Sequence, residues 1–97
     1  MEQTYVELTV TAFEVTNNHF QLTVANNDEV EKIDFVKTDK NEMLLKKILH
    51  SDLNVVNKNL PVSITAVFDP WQGTSMGAII GFMDDGVIYA IHKMFTF

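Results

Sequence analysis

Three histidines are the residues of this chain best suited to metal binding or acid–base chemistry: His19, His50 and His92. Such chemistry needs groups at spacings that bring them to one side of a helix or strand, as in the patterns HxH, HxxxH and HExxH. None of these patterns occurs in the sequence. The nearest pair is His50 and Asp52, and side chains two residues apart on a helix diverge. The sequence therefore predicts no metal site.

Nucleophilic and phosphate-binding chemistry also lacks the residues it needs. The run His50-Ser51-Asp52 has the residue types of a hydrolase triad, but triad groups must converge in space and these would diverge. No GxSxG turn is present to expose a serine, no glycine opens the predicted helix, and there is no cysteine. We therefore expect a protein that is not an enzyme, with no catalytic residues and no cofactor.

Exposed aromatic rings and lysines are the usual means of binding single-stranded nucleic acid. Tyr5 lies on the polar side of its predicted strand, and Trp71 lies in a predicted loop. Six of the seven lysines fall between Lys32 and Lys58, but acidic residues are interleaved with them, and the chain has no arginine and a net charge of −6. A phosphate backbone would meet no excess of positive charge there, so we expect nucleic-acid binding to be weak.

Acidic residues near the C-terminal strands favour a protein partner instead. Asp69, Asp84 and Asp85 crowd turns, and Pro70 stiffens the loop that carries Trp71. Large aromatic residues are common interface anchors, and an acidic domain is steered towards a basic surface. We expect Trp71, Asp69, Asp84 and Asp85 to contact a partner with a basic surface. Two plainer interpretations stay open: the acidic residues serve solubility, and Trp71 folds back as a lid over one end of the fold.

The size of the chain predicts one globular domain over residues 1–97, because a second core would leave each half too small. The N-terminal residues Met1–Thr4 lack the basic and apolar character of an export signal. The most apolar window, Met76–Met83, is far shorter than the roughly 20 residues of a spanning helix. We expect a cytoplasmic protein that does not enter membranes, and its oligomeric state stays open.

Alternating apolar residues predict a first strand from Tyr5, in which Val10 and its even-numbered neighbours face the core. The alternation slips by one near Ala12-Phe13, which predicts a β-bulge that keeps Phe13 and Val15 facing inward. Asn17-Asn18 is expected to adopt left-handed backbone angles and to turn the chain into a second strand. A third strand is expected over Val30–Lys37.

A helix is predicted over Asp39–Ser51, with Asp39 as its N-cap and Glu42 completing a variant of the capping box. The apolar stripe expected to face the core is Leu44, Leu45, Ile48 and Leu49.

Three more strands are predicted after the helix. The first begins at Pro61, the second is the apolar window Met76–Met83, and the third runs over Val87–Phe97. Asp69–Ser75 and Asp84-Asp85-Gly86 are the predicted loop and hairpin turn between them. The order β-β-β-α-β-β-β predicts an α+β protein with a mainly antiparallel sheet.

This order, with its bent first strand, resembles the OB-fold of bacterial single-stranded DNA-binding proteins. The segments His19–Val24 and Pro61–Phe68 sit where that fold places its second and fourth strands. The resemblance implies a partly closed barrel. An α+β roll with the helix packed on the sheet uses the same elements, so both architectures stay open.

Two functions follow as expectations. The charge favours a small acidic protein-binding module, of the size and charge of inhibitors or accessory proteins made by phages and mobile elements, that occupies a partner's basic surface. The alternative, which the resemblance implies, is an OB-fold protein that binds single-stranded nucleic acid.

Overall fold

Six strands and one α-helix make up the described chain, residues 4–96, in this computed structural model. The strands are β1 (Thr4–Val15), β2 (His19–Asn26), β3 (Glu29–Val36), β4 (Val62–Pro70), β5 (Met76–Asp84) and β6 (Val87–Thr96). The helix α1 (Asp39–Leu49) and a short 3₁₀ turn (Val56–Lys58) lie between β3 and β4. The predicted order β-β-β-α-β-β-β is confirmed.

All six strands belong to one antiparallel sheet with the spatial order β3-β2-β1-β4-β5-β6. The sheet therefore consists of two three-stranded meanders, β1–β3 and β4–β6, joined where β1 pairs with β4. Strands β1–β4 form a Greek key, because β4 returns through the helical connection to lie beside β1. The sheet curls into a half-barrel, and its two edges approach each other where Lys93 Nζ lies 5.1 Å from the centre of the Phe35 ring.

The shift in apolar alternation predicted for the first strand corresponds to a β-bulge in β1. The register of β1 against β2 shifts between Val10 and Ala12, so Thr11 is the additional residue, one position before the predicted one. Leu8, Val10 and Phe13 are consequently all buried. The prediction was wrong for Val15, which is exposed: β1 pairs with β4 only as far as Val10, and the 3₁₀ turn beyond it hydrogen-bonds to Phe13 through Asn57.

The Asn17-Asn18 turn forms, although by a mechanism that differs from the prediction. Neither asparagine has a positive φ angle. Thr16 holds the turn instead: its amide donates to the His19 carbonyl at 2.9 Å, and its Oγ1 accepts from the amide of His19 at 3.1 Å. The β5–β6 turn does use left-handed backbone, with φ angles of 50° at Asp85 and 78° at Gly86.

The N-cap of α1 is Thr38, and the assignment of Asp39 was wrong. Thr38 is extended, and its Oγ1 accepts a hydrogen bond from the Asn41 amide at 3.1 Å. Asp39 is already helical, and its charge favours the positive end of the helix dipole. The predicted apolar stripe is buried, and the helix ends when His50 adopts a left-handed conformation.

The core lies between α1 and the concave face of the sheet, which we call the inner face. Both meanders contribute to it, with Phe35 and Phe82 packed at a ring separation of 6.3 Å. Strand β4 continues through Asp69 and Pro70, which were predicted to lie in a loop and instead pair with Ala78 and Gly77.

Candidate functional site

The opposite, convex face of the sheet is apolar across its second meander. One register row crosses four strands from Tyr5 to Val67, Gly81 and Ala90. These residues face outward, because each alternates along its strand with residues that contact the core. We call the following residues the outer patch: Tyr5, Val67, Gly81, Ile88, Ala90 and Met94.

The outer patch combines a close-packed centre with an exposed periphery. Val67 is only 1% exposed although it faces outward, whereas Tyr5 and Met94 are each 62% exposed. Ile88 covers the glycine in the middle of the row, since a Cβ added to Gly81 would lie 2.7 Å from Ile88 Cγ2. Contiguous exposed apolar side chains of this kind mark interaction surfaces in soluble proteins.

Asp69 lies at one end of the outer patch. It faces outward on β4, beside Ala78, which in turn pairs with Met94. Its Oδ1 is buried and has no hydrogen-bond partner among residues 4–96. A buried carboxylate oxygen without a donor is costly, so this end of the patch lacks one favourable contact in the free protein.

Trp71 follows Asp69 in a loop that is held rigidly. The Trp71 amide donates to the Met76 carbonyl at 3.0 Å, and the Thr74 hydroxyl donates to the Trp71 carbonyl at 3.1 Å. Gly73 supplies the left-handed residue that the loop needs, with a φ angle of 78°. The Trp71 side chain is 39% exposed and is not part of the core cluster.

The other two predicted contact residues lie at the opposite end of β5. Asp69 pairs with Ala78, six residues before Asp84, so about 20 Å separates the two positions at a rise of about 3.4 Å per residue. Asp84 turns inward, and its Oδ1 lies 2.6 Å from His50 Nε2 at the end of α1. Asp85 is exposed in the hairpin turn. The structure therefore brings Asp69 and Trp71 together and places Asp84 and Asp85 apart from them.

Glu7 supplies an acidic group at the edge of the patch that sequence reasoning did not select. Its carboxylate accepts hydrogen bonds from Thr65 Oγ1 at 2.7 Å and from Ser63 Oγ at 2.9 Å. The hydrogen bond from Thr65, and then that from Ser63, lowers the pKa of Glu7 below its ordinary value of 4.5. The only sequence signal was the alternation that places Glu7 outward, two residues from Tyr5.

Three further features of residues 4–96 bear on the functions considered. Within residues 4–96, no group of three or more histidine or acidic side chains is placed to hold a metal ion. No helix in this range is long and apolar enough to cross a membrane. The lysines lie on β3, in the turn between β3 and α1, on α1, in the 3₁₀ turn and on β6, and none lies in the Trp71 loop.

Comparison with known protein families, curated proteins and solved structures found no match to this chain.

Proposed function

We propose that this protein is a non-enzymatic binding module that docks its outer patch, together with Trp71 and Asp69, on a partner protein. The observation that carries the proposal is the buried, unpaired Asp69 Oδ1 beside an exposed tryptophan. On docking, rotation of the Asp69 side chain would turn this oxygen towards a lysine or arginine of the partner, which would supply the missing donor. The partner surface would therefore have an apolar centre and a basic rim.

The free energy of such a contact comes from several sources. A charge-assisted hydrogen bond contributes about 1.5–3 kcal/mol, and here the carboxylate oxygen is already desolvated before binding. Trp71 sits in a loop that internal hydrogen bonds already order, so little conformational entropy remains to be lost on binding. Rigid aromatic anchors of this kind are typical interface hot spots.

The net charge of −6 favours a partner with a basic surface. An acidic protein approaches a basic surface faster than a neutral one, and it competes there with other anions. This supports the action of an inhibitor or accessory protein that occupies the basic surface of a larger protein, as small acidic proteins of phages and mobile elements do.

A second candidate, single-stranded nucleic-acid binding, is supported by the Greek-key strand order and the helix between β3 and β4. The charge distribution weighs against it, because the register row of Tyr5 contains no lysine and the loop that carries Trp71 contains none either. We expect fluorescence anisotropy to detect little or no binding of a labelled oligonucleotide near physiological salt. Sub-micromolar binding that weakens steeply with salt would favour this candidate instead.

Site-specific photo-crosslinking tests the proposed docking face. A benzoylphenylalanine replaces Trp71 in one variant and Val36, an exposed residue of the other meander, in a control variant. In lysate of the source cells we expect a protein adduct at position 71 and none at position 36. The purified adduct partner is then titrated with the Asp69→Asn variant and with the Glu14→Gln variant, which loses the same charge elsewhere.

We expect Asp69→Asn to weaken binding by at least about tenfold and Glu14→Gln to leave it within about twofold. Equal adducts at positions 71 and 36, or equal affinities of the two charge variants, would contradict the proposed site. An adduct at position 71 that nuclease removes would favour the second candidate.

A further inference from the structure

A groove on the other side of the molecule lies between α1 and the edge strand β6. It encloses about 380 Å³. Its lining is Lys40, Met43, Leu44 and Lys47 from α1, and Tyr89 and Ala90 from β6. Its walls are mostly apolar, and Met43, at 64% exposure, is a large side chain whose adaptable thioether has no covering neighbour. The groove is separate from the Trp71 loop and from Asp69, and of the outer patch only Ala90 lines it.

The backbone of β6 along this groove is open to hydrogen bonding. Strand β6 pairs only with β5, so its other side is a sheet edge. Asp84 and Val87 close the two-residue hairpin, and hydrogen-bonded pairs alternate with non-bonded pairs from there. The amide and carbonyl groups of Ile88 and Ala90 therefore point to the open edge. Strand β3 approaches this edge only further along, where Lys93 meets Phe35.

The charge of the groove is opposite to that of the whole protein. Lys40 and Lys47 stand on its helical wall in a chain of net charge −6, and neither makes an ion pair within residues 4–96. Lys46, which lies outside the groove, is by contrast paired with Asp52 at 3.5 Å. Lys40 and Lys47 are seven positions apart on α1, so about 10 Å separates them along the helix axis. Three to four residues of an extended strand span the same distance.

We propose that this groove binds an extended acidic peptide of a partner protein, which adds to β6 as a further strand. Main-chain hydrogen bonds to Ile88 and Ala90 fix the peptide, as in other cases of strand addition. Every second side chain of the peptide faces the groove. An apolar side chain there contacts Met43 and Leu44, and acidic side chains on either side of it reach Lys40 and Lys47.

A second copy of this chain fits the groove less well. In a symmetric pair of copies the strand that adds to β6 is β6 of the other copy, and it contains no acidic residue between Val87 and Thr96. It would bring Lys93 towards two lysines without neutralising either. An acidic peptide satisfies both the open edge and the unpaired charges.

The test uses the peptide acetyl-Thr-Asp-Thr-Leu-Thr-Glu-Thr-amide carrying fluorescein, and a control peptide with lysine at both acidic positions. In a two-dimensional NMR titration we expect the amides of Ile88 and Ala90 to shift with the acidic peptide only. By anisotropy, we expect the double variant Lys40→Glu with Lys47→Glu to bind at least about tenfold more weakly. The matched double variant Lys32→Glu with Lys58→Glu has the same net charge and should change affinity less than about threefold.

A single substitution tests the strand addition itself. Ala90→Pro removes one outward amide without breaking a β5–β6 hydrogen bond, and proline is tolerated on the open side of an edge strand. We expect it to retain the thermal transition of the parent protein and to abolish peptide binding. If Ala90→Pro unfolds the protein, the peptide affinities of the lysine variants and the NMR shifts of Ile88 and Ala90 test the strand addition without it.

Any one of four outcomes would overturn the proposal. The acidic peptide fails to bind at millimolar concentration, it binds equally to both double variants, or its shifts map to residues 71–75. Concentration-dependent shifts of Ile88 and Ala90 without peptide would also overturn it, since they would show that a second copy occupies the edge.

Discussion

The two meanders of the sheet share one inner core but have contrasting outer faces. On β2 and β3 the middle of the outer face is polar, and its side chains bind one another: Gln21 Nε2 donates to Asp34 Oδ1 at 2.9 Å, and His19 Nε2 lies 3.7 Å from the same oxygen. On β4–β6 the outer face carries the apolar outer patch, and the acidic oxygen at its end, Asp69 Oδ1, has no partner among residues 4–96. The polar side chains named on the first face have partners within the protein, whereas Asp69 Oδ1 on the second face has none among residues 4–96.

The two sheet edges differ in the same way. Edge strand β3 has four charged residues among its eight, which discourages another strand from pairing with it. Edge strand β6 has one lysine and one histidine among its ten residues and no other ionisable group except Tyr89. All four glycines of the chain also fall between Gly73 and Gly86, in the second meander. The first meander therefore ends in a charged edge and the second in an edge with few charges, although both contribute to the core.

The largest expected effect tests how tightly the second meander is packed. A Cβ at Gly77 would lie 2.4 Å from Phe68 Cζ and 2.5 Å from the Asp69 carbonyl oxygen. Because a backbone atom cannot move aside cheaply, we expect Gly77→Ala to lower the free energy of unfolding by about 2–3 kcal/mol in urea denaturation. The control Gly86→Ala has free space but a φ angle of 78°, so we expect a loss of about 1 kcal/mol. Equal midpoints for Gly77→Ala and the parent protein would show that the packing is loose.

A second pair of variants exchanges an apolar and a polar side chain between the outer faces of the two meanders. Val67→Thr puts a hydroxyl into a position that is outward but buried, and we expect it to cost about 1–2 kcal/mol of unfolding free energy. Thr9→Val makes the reverse exchange at an exposed position of the first meander and should stay within about 0.5 kcal/mol of the parent. Thermal denaturation measures both. Similar losses of unfolding free energy in the two variants would show that the two outer faces are equally tightly packed.

The sequence predicted those features that depend on local alternation and spacing. The slip before Phe13 located the bulge to within one residue, and the apolar stripe Leu44–Leu49 identified the buried face of α1. The N-cap was missed by one residue, because Thr38 and Asp39 are both good capping residues. Whether an exposed residue belongs to a site depends on which strands become neighbours, and local patterns do not show this.

The candidate site shows this limit most clearly. Strand β6 is apolar at both alternating positions, so periodicity could not tell that Tyr89 faces the core and Ile88 faces outward. Asp69 and Asp84 are similar in sequence, each next to a turn, but one is outward and unpaired while the other contacts His50. That difference arises because α1 returns beneath the β5–β6 turn, which is a long-range contact.

The third prediction compares one carboxylate from each meander and expects opposite signs. Asp69→Asn replaces a partly buried carboxylate, whose Oδ1 has no donor among residues 4–96, with a neutral amide, so we expect the free protein to gain about 0.5–1 kcal/mol of unfolding free energy. Asp34→Asn keeps an acceptor oxygen but removes the negative charge that strengthens its contacts with Gln21 and His19 at an exposed site, so we expect a loss of up to about 1 kcal/mol. Urea denaturation at pH 7 measures both variants. Destabilisation by Asp69→Asn would mean that the carboxylate has a stabilising role within the free protein.

The smallest expected effect lies at the seam between the meanders, where Glu7 of β1 accepts hydrogen bonds from Thr65 and Ser63 of β4. These bonds favour the ionised carboxylate and lower its pKa below 4.5, so Glu7 contributes stability above pH 4.5 that is lost as the pH falls through its folded pKa. In a ¹³C NMR titration of the Glu7 carboxyl, Thr65→Val should therefore raise the pKa towards 4.5 by more than Ser63→Ala does, since the Thr65 hydrogen bond is the larger cause. Both variants leave the inner face unchanged, so a change in the Glu7 pKa reports only on the side-chain contacts between β1 and β4. A Glu7 pKa that neither variant changes would show that these hydroxyls do not hold the carboxylate in solution, and that the two meanders are joined here by backbone hydrogen bonds only.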